Sequence, residues 1–176
     1  MISCDNLPAN GQKLRAAVLA NAGENASWIA EHVSFVDTVV DRITPAATAE
    51  DIAVARALTG LQDPATVVTE PFSEWVLAGE FPAGRPAWQA GGARFVADVT
   101  PYEERKLWLL NASHSVLAAA GRLRGLDTIA EAFADPELRA ATEELWREHR
   151  AVIDLPAAEV DDWLADLRIR FDNPRI

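Results

Sequence analysis

Thr100-Pro101-Tyr102-Glu103-Glu104-Arg105-Lys106-Leu107-Trp108-Leu109-Leu110-Asn111-Ala112-Ser113-His114-Ser115 is the stretch that decides the fold. Thr100 suits an N-cap. Pro101 suits the first helical position, where its missing N–H is not needed, and Glu103 completes a capping box. The pattern predicts one helix over residues 100–121, about 30 Å long at about 1.5 Å per residue. It is strongly apolar, yet it carries Lys106, Asn111 and His114. At about 100° per residue, Asn111 lies about 140° from Lys106 and His114 about 80° from it. All three therefore occupy less than half of the circumference.

A lysine on such a face is partly desolvated, which disfavours its charged form and lowers its pKa. Lys106 is then a candidate general base near neutral pH. Asn111 can donate its amide to a carbonyl or developing alkoxide oxygen. His114 can orient a substrate hydroxyl or tune the lysine. A plainer reading fits the same residues. Lys106, three after Glu103, suits a solvated ion pair; His114 suits a hydrogen-bonded core position, and Asn111 a bond to a neighbouring loop. Spacing alone leaves both open.

Outward from this helix, helical signals dominate the chain, with short strands in the first hundred residues. Asp135-Pro136 opens a helix reaching about Val152, and residues 158–170 form a last one, with Val160, Trp163, Leu164 and Leu167 on one face. On the N-terminal side, residues 2–7, 35–40, 65–69 and 94–99 read as strands. Asn10 is expected to cap a helix that Gly23 stops, and Thr48 with Asp51 resembles a capping box whose helix ends at Gly60. The expected class is mainly α with a small α/β portion.

The chain has 176 residues and is 49% hydrophobic, which argues against disorder. Its net charge of −11 argues against nucleic acid and against an anionic membrane surface as partners. No apolar run is long enough to span a bilayer, and the first ten residues hold no basic region of a signal peptide. Cys4 is the only cysteine, so no internal disulfide is possible and a cytoplasmic setting is expected. His32, His114 and His149 are too far apart in sequence for a zinc spacing, and no metal site is expected. The six tryptophans read as core or docking residues.

Several ordered segments resemble the mannitol dehydrogenase family of polyol-specific long-chain dehydrogenases. They are Ser3-Cys4-Asp5-Asn6-Leu7-Pro8-Ala9-Asn10-Gly11, Val39-Val40-Asp41-Arg42-Ile43-Thr44-Pro45, Thr69-Glu70-Pro71-Phe72-Ser73-Glu74-Trp75-Val76, Phe81-Pro82-Ala83-Gly84-Arg85-Pro86, the Pro101 to Ser115 helix and Arg170-Phe171-Asp172-Asn173-Pro174. The resemblance implies that Lys106 is the general base. It implies that Asn111 and Asn6 hydrogen-bond the reacting oxygen, that His114 orients the polyol, and that Asp41 is an acid beside the substrate. It implies metal-independent oxidation of a secondary alcohol with NAD or NADP, mannitol to fructose first, with fructuronate reduction to mannonate as runner-up. It also implies a helical domain like that of the phosphogluconate dehydrogenase C-terminus.

On this reading residues 1–34 are a remnant of the dinucleotide-binding domain. Residues 35–176 are the substrate and catalytic domain, mixed α/β over 35–100 and helical over 101–176. Both ends are expected to be truncated. No G-x-G-x-x-G turn is present, and the family's later basic residues for substrate binding are expected beyond the last residue. Partners expected are a polyol or sugar acid and either a separate nucleotide-binding chain or a second copy. A non-enzymatic split-gene fragment is the alternative.

Overall fold

The computed structural model describes residues 1–175. Helices dominate, and a small sheet stands at the N-terminal side, so the class is mainly α with a small α/β portion. The order is α1 (Asn10–Asn21), α2 (Ala26–His32), β1 (Asp37–Asp41), α3 (Ala49–Thr59), β2 (Glu74–Ala78), β3 (Arg94–Phe95), α4 (Thr100–Arg105), a π-helical segment (Lys106–Asn111), α5 (Ala112–Leu123), α6 (Ile129–Ala134), α7 (Pro136–Arg150) and α8 (Ala157–Phe171). Among the described residues, no helix is long and apolar enough to cross a membrane.

The helical half closes around one apolar core. Leu109, Leu117, Phe133, Trp146, Leu167 and Phe171 are all at most 1% exposed. Phe133 meets Phe171 edge to face with ring centroids 5.5 Å apart, a favoured aromatic geometry. α5 and α6 approach closely at Gly121, where a Cβ would stand 2.9 Å from the Cβ of Ala132. α7 starts where Asp135-Pro136 predicts: the Asp135 carboxylate accepts from the backbone N–H groups of Glu137 and Leu138. Thr48 and Asp51 form the expected capping box, and Gly60 ends α3 with φ 73°.

The sheet runs β1-β2-β3, with β1 antiparallel to β2 and β2 parallel to β3. Both of its faces are covered. Val39 and Val76 pack with Val99 on one side, while Leu77 packs with Val36 and Ala93 on the other. α1 is seated on β1 by side chains. The Asn10 amide donates to the carbonyls of Asp5 and Thr38 at 2.8 and 2.9 Å, and its oxygen accepts from the Thr38 N–H at 2.9 Å. Gly11 permits the contact, because a Cβ there would lie 2.4 Å from the carbonyl oxygen of Val36. Alanine is intrinsically better than glycine in a helix by roughly 1 kcal/mol, but a backbone clash of this size outweighs that. Gly11→Ala is expected to lower stability by about 1–3 kcal/mol, read as a lower midpoint of thermal unfolding. An unchanged midpoint would mean that α1 does not sit on β1 this closely.

Several local expectations are corrected. Residues 2–7 form no strand; a single parallel bridge joins Ile2 to Val36. Residues 65–69 form none either. Asp63 instead organises a turn by accepting from the N–H of Ala65 at 2.9 Å, and Val67 is left 69% exposed. The neighbour of β1 is β2, a strand that the sequence reading did not mark, and strand propensity yields to available partners. Only Arg94–Phe95 of residues 94–99 is strand. Asn10 does not cap α1; Asp37 does so from β1, accepting from the N–H groups of Gly11 and Gln12 at 2.7 and 3.1 Å. Thr100 is the first residue of α4 rather than its cap. Asp98 accepts from its N–H and hydroxyl at 2.9 and 2.7 Å. Glu103 turns away from the capping box and accepts from the Ala9 N–H at 2.9 Å.

Candidate active site

The helix that begins at Thr100 is not uniform. Its middle, Lys106–Asn111, is π-helical, and the N–H of Ala112 donates to the carbonyl of Leu107, five residues back. Pairing of this kind puts more residues into each turn than an α-helix. Asn111 therefore comes nearer to the Lys106 face than the about 140° of an ideal α-helix. Segments of this type occur frequently at functional sites.

Lys106 is half-buried. Its Nζ donates to Asn6 Oδ1 at 2.7 Å and to the carbonyl of Val40 at 2.8 Å. An ammonium has three donors, so one direction remains for a ligand. The N-terminal arm bearing Asn6 is pinned to the fold on both sides. Thr38 Oγ1 donates to the Ser3 carbonyl at 2.5 Å, and Asn10 holds the Asp5 carbonyl. Ala9 ends the arm in the left-handed region, φ 49°. That conformation costs an L-residue about 1–2 kcal/mol, and such strain concentrates where a site needs its geometry. Beside Lys106 lies a cleft of about 230 Å³, lined by Asn6, Leu7, Val40, Glu103, Lys106 and Asn111 among others.

Burial pushes the Lys106 ammonium below the ordinary lysine range. The charge of Asp41 acts the other way, Arg170 adds to the lowering, and Glu74 opposes it. Burial also raises the Glu103 carboxyl above the usual range, partly offset by the N–H of Ala9. From sequence, Glu103 reads as a capping residue or as an ion-pair partner of Lys106. No spacing signal marks it as a cleft wall, because the N-terminal arm that it touches is 94 residues away.

Asp41 is not free to meet a ligand. It forms a two-pronged pair with Arg170, at 2.9 and 2.8 Å, and Glu70 closes on the same guanidinium at 2.9 Å through both oxygens. All three residues are at most 5% exposed. Glu70 also accepts from the Ile43 N–H at 2.7 Å. Asp41 thus acts on Lys106 through its charge rather than by contact. His114 is exposed and lies outside the cleft lining. The structure brings Lys106, Asn6 and Asn111 together and leaves His114 on the open surface beyond them. Among the described residues, no group of three or more His, Cys, Asp or Glu is placed to hold a metal ion.

The fold joins a small α/β portion to a helical domain, and the cleft beside Lys106 is lined from both. The profile of the mannitol dehydrogenase Rossmann domain matches residues 1–90, and that of the mannitol dehydrogenase C-terminal domain matches residues 98–176. The chain belongs to the mannitol dehydrogenase family. It is 42% identical to D-mannonate oxidoreductase of Escherichia coli K12, over 100% of this chain and 37% of the relative. A D-sorbitol dehydrogenase crystallised in substrate-free form superposes with a TM-score of 0.87 at 35% identity, over 98% of this chain and 37% of that one. Pseudomonas fluorescens mannitol 2-dehydrogenase, in a ternary complex with NAD and D-mannitol, superposes at 0.75 with 40% identity, over 98% and 36%. The chain spans 37% of the length of the first curated relatives it matches.

Proposed function

We propose that this chain carries the proton-transfer half of an NAD(P)-dependent dehydrogenase that oxidises a secondary alcohol of a polyol or sugar acid. One observation carries the reading: a half-buried lysine, held by Asn6 and the Val40 carbonyl, opens onto a cleft that Asn111 also lines. Neutral Lys106 takes the hydroxyl proton of the alcohol. Asn111 and Asn6 supply amide donors to the oxygen as negative charge builds on it, and both the proton acceptor and these donors are preorganised in a partly dry site. His114, exposed beyond the cleft, is assigned to the far hydroxyls of the substrate. Asp41 holds the local charge balance from behind the lysine.

The proposal places the seat of the dinucleotide largely outside the described residues. A pyrophosphate is held by free N–H groups at a helix N-terminus. Here side chains of the chain itself take N–H groups at the N-termini of α1, α3, α4, α6 and α7, whereas α8 has no side-chain cap and follows Asp154-Leu155-Pro156 rather than a glycine turn. No glycine-rich phosphate turn is present in the sequence. Purified chain is therefore expected to show no saturable NADH binding in a fluorescence titration at micromolar concentrations. Tight stoichiometric binding would defeat this part of the reading. A partner chain or a second copy that completes the nucleotide site belongs to the same proposal, as does a cytoplasmic setting.

Mannitol to fructose is the first substrate pair proposed. The whole-chain identity to D-mannonate oxidoreductase favours mannonate and fructuronate as the second. An active form, carrying the segments found in the relatives, should be assayed with both pairs. Absence of turnover with any polyol or sugar acid would leave the non-enzymatic alternative.

A pH dependence follows from the lowered Lys106. The chain has two lysines, Lys13 and Lys106, so each ε-amino group can be followed by carbon NMR of labelled lysine. Lys106 is expected to titrate below the ordinary lysine range. The folded state then holds fewer protons than the unfolded one between the two values. Linkage makes this lysine's contribution to stability grow as pH rises through that window. Alcohol oxidation, which needs the neutral amine, should rise with pH across the Lys106 titration. A Lys106 titration within the ordinary lysine range would remove the argument for a tuned base.

A further inference from the structure

The π segment has a support of its own on the far side of the helix from the cleft. When a helix returns from pairing five residues back to pairing four back, one carbonyl loses its backbone partner. Left buried and unpaired, such a group costs about 1–3 kcal/mol. After the Ala112 to Leu107 bond, the carbonyl skipped at this return is that of Trp108, and beside it stands the Leu109 carbonyl, to which the Ser113 hydroxyl of the same helix also donates. Both are met by side chains from α7. The Trp146 indole donates to the Leu109 carbonyl at 2.9 Å inside the core. His149 Nδ1 lies 3.1 Å from the Trp108 carbonyl. A carbonyl can only accept, so the ring proton sits on Nδ1. Trp146 and His149 are three apart, hence neighbours on one helix face, and they take consecutive carbonyls. Trp146 is 1% exposed and wedged against Phe133 and Phe171. The His149 ring leans on the indole of Trp108 at 6.0 Å.

We infer that Trp146 and His149 are positioning residues, a two-point clamp that holds the π segment and so keeps Lys106 and Asn111 on one cleft. The rest of the helix cannot absorb a change of pairing. Leu117 is fully buried, and Gly121 is pressed against Ala132, so the phase of α5 is fixed. Relaxation to α-helical pairing must turn the residues before it by about 100°. Lys106 would then swing away from Asn6 and the Val40 carbonyl. The clamp rests on the proposed dehydrogenase reading only for its effect on turnover; its geometry stands without it.

The test compares His149→Leu, His149→Asn and Trp146→Phe in the purified chain. Asparagine keeps a donor where Nδ1 stood, leucine keeps the bulk without the donor, and phenylalanine removes only the indole N–H and some volume. The readout is the NMR contact between the Lys106 side chain and the Asn6 amide, with the Lys13 signal as internal control. His149→Leu and Trp146→Phe should each abolish the contact and move the Lys106 signal towards that of a solvated lysine; His149→Asn should restore both. In an active form carrying the segments of the relatives, His149→Leu should lower kcat by about 10–100-fold with a smaller change in KM, again restored by asparagine. A lower melting point with the Lys106–Asn6 contact intact would overturn the inference, since the two side chains would then be core packing alone. If Trp146→Phe does not fold, the half-buried His149 pair decides. Wild-type Lys106 titrating within the ordinary lysine range would defeat the general-base reading while leaving this contact readout, and the clamp, standing.

Discussion

Lys106→Ala is expected to reduce kcat for alcohol oxidation by about 10²–10⁴-fold, with KM changed far less. The experiment requires an active form in which this chain is joined to the segments present in its relatives, because the chain spans 37% of their length. A general base acts as the proton leaves, so its loss falls on the chemical step rather than on ground-state binding. The pH profile should also lose the ionisation assigned to Lys106. Added primary amines should restore part of the rate by entering the space that the side chain leaves. Asn111→Ala should cost about 10²–10³-fold, the usual range for one donor to a developing oxyanion. Two features separate this outcome from simple loss of structure. Lys106 is only half-buried and its removal leaves no orphaned carboxylate, since Asp41 is already paired with Arg170. Thermal unfolding should therefore move little while turnover collapses. Unchanged kcat and an unchanged pH profile would return Lys106 to a structural role as the tie between the π segment, the N-terminal arm and β1.

The sequence pattern reaches this site unevenly, for physical reasons. Pro101 and the apolar run after it announce the helix, because helix starts and periodicity are local signals. The cap is less legible: Asp98, two residues upstream of Thr100, takes the free N–H, and Glu103 is drawn to the Ala9 N–H by tertiary contact. The π segment is not legible at all. Lys106-Leu107-Trp108-Leu109-Leu110-Asn111 is good α-helical sequence, and its pairing is decided by Trp146 and His149, 37 and 41 residues further along the chain from their acceptors. His114 is exposed for a different reason: it stands about two helical turns beyond Lys106, past Asn111, the last helix residue that lines the cleft. Family resemblance pointed to Asn6 beside Lys106, a contact across 100 residues that no periodicity encodes. Asp41 illustrates the remaining gap. Its motif suggested an acid facing substrate, and only the fold reveals Arg170, 129 residues away, lying against it.

Arg170→Met is expected to destabilise the fold by about 3–5 kcal/mol, the usual cost of removing one partner from a buried ion group. The guanidinium stands between Asp41 and Glu70 and makes four hydrogen bonds to their oxygens, all out of water. It also lies over the Phe72 ring at 4.3 Å, so both its charge and its flat face are used. Methionine keeps the apolar length and deletes the charge, leaving two carboxylates facing each other without a counter-ion. Their mutual repulsion favours protonation of one of them, so the loss should be larger at pH 8 than at pH 5. Chemical denaturation at both pH values measures this. Lysine at the same position keeps the charge but cannot bridge two carboxylates with a planar fork, so Arg170→Lys should recover only part of the stability. A second readout connects the triad to the site. Arg170 helps to hold Lys106 below the ordinary lysine range, while Asp41 opposes it. Removing the arginine should therefore raise the Lys106 titration towards the ordinary lysine range. In the active form, the pH at which oxidation reaches half its maximum should move up with it. A destabilised variant whose Lys106 titration stays in place would show that the triad is an element of the fold alone. A shift in that titration identifies it also as the electrostatic setting of the base.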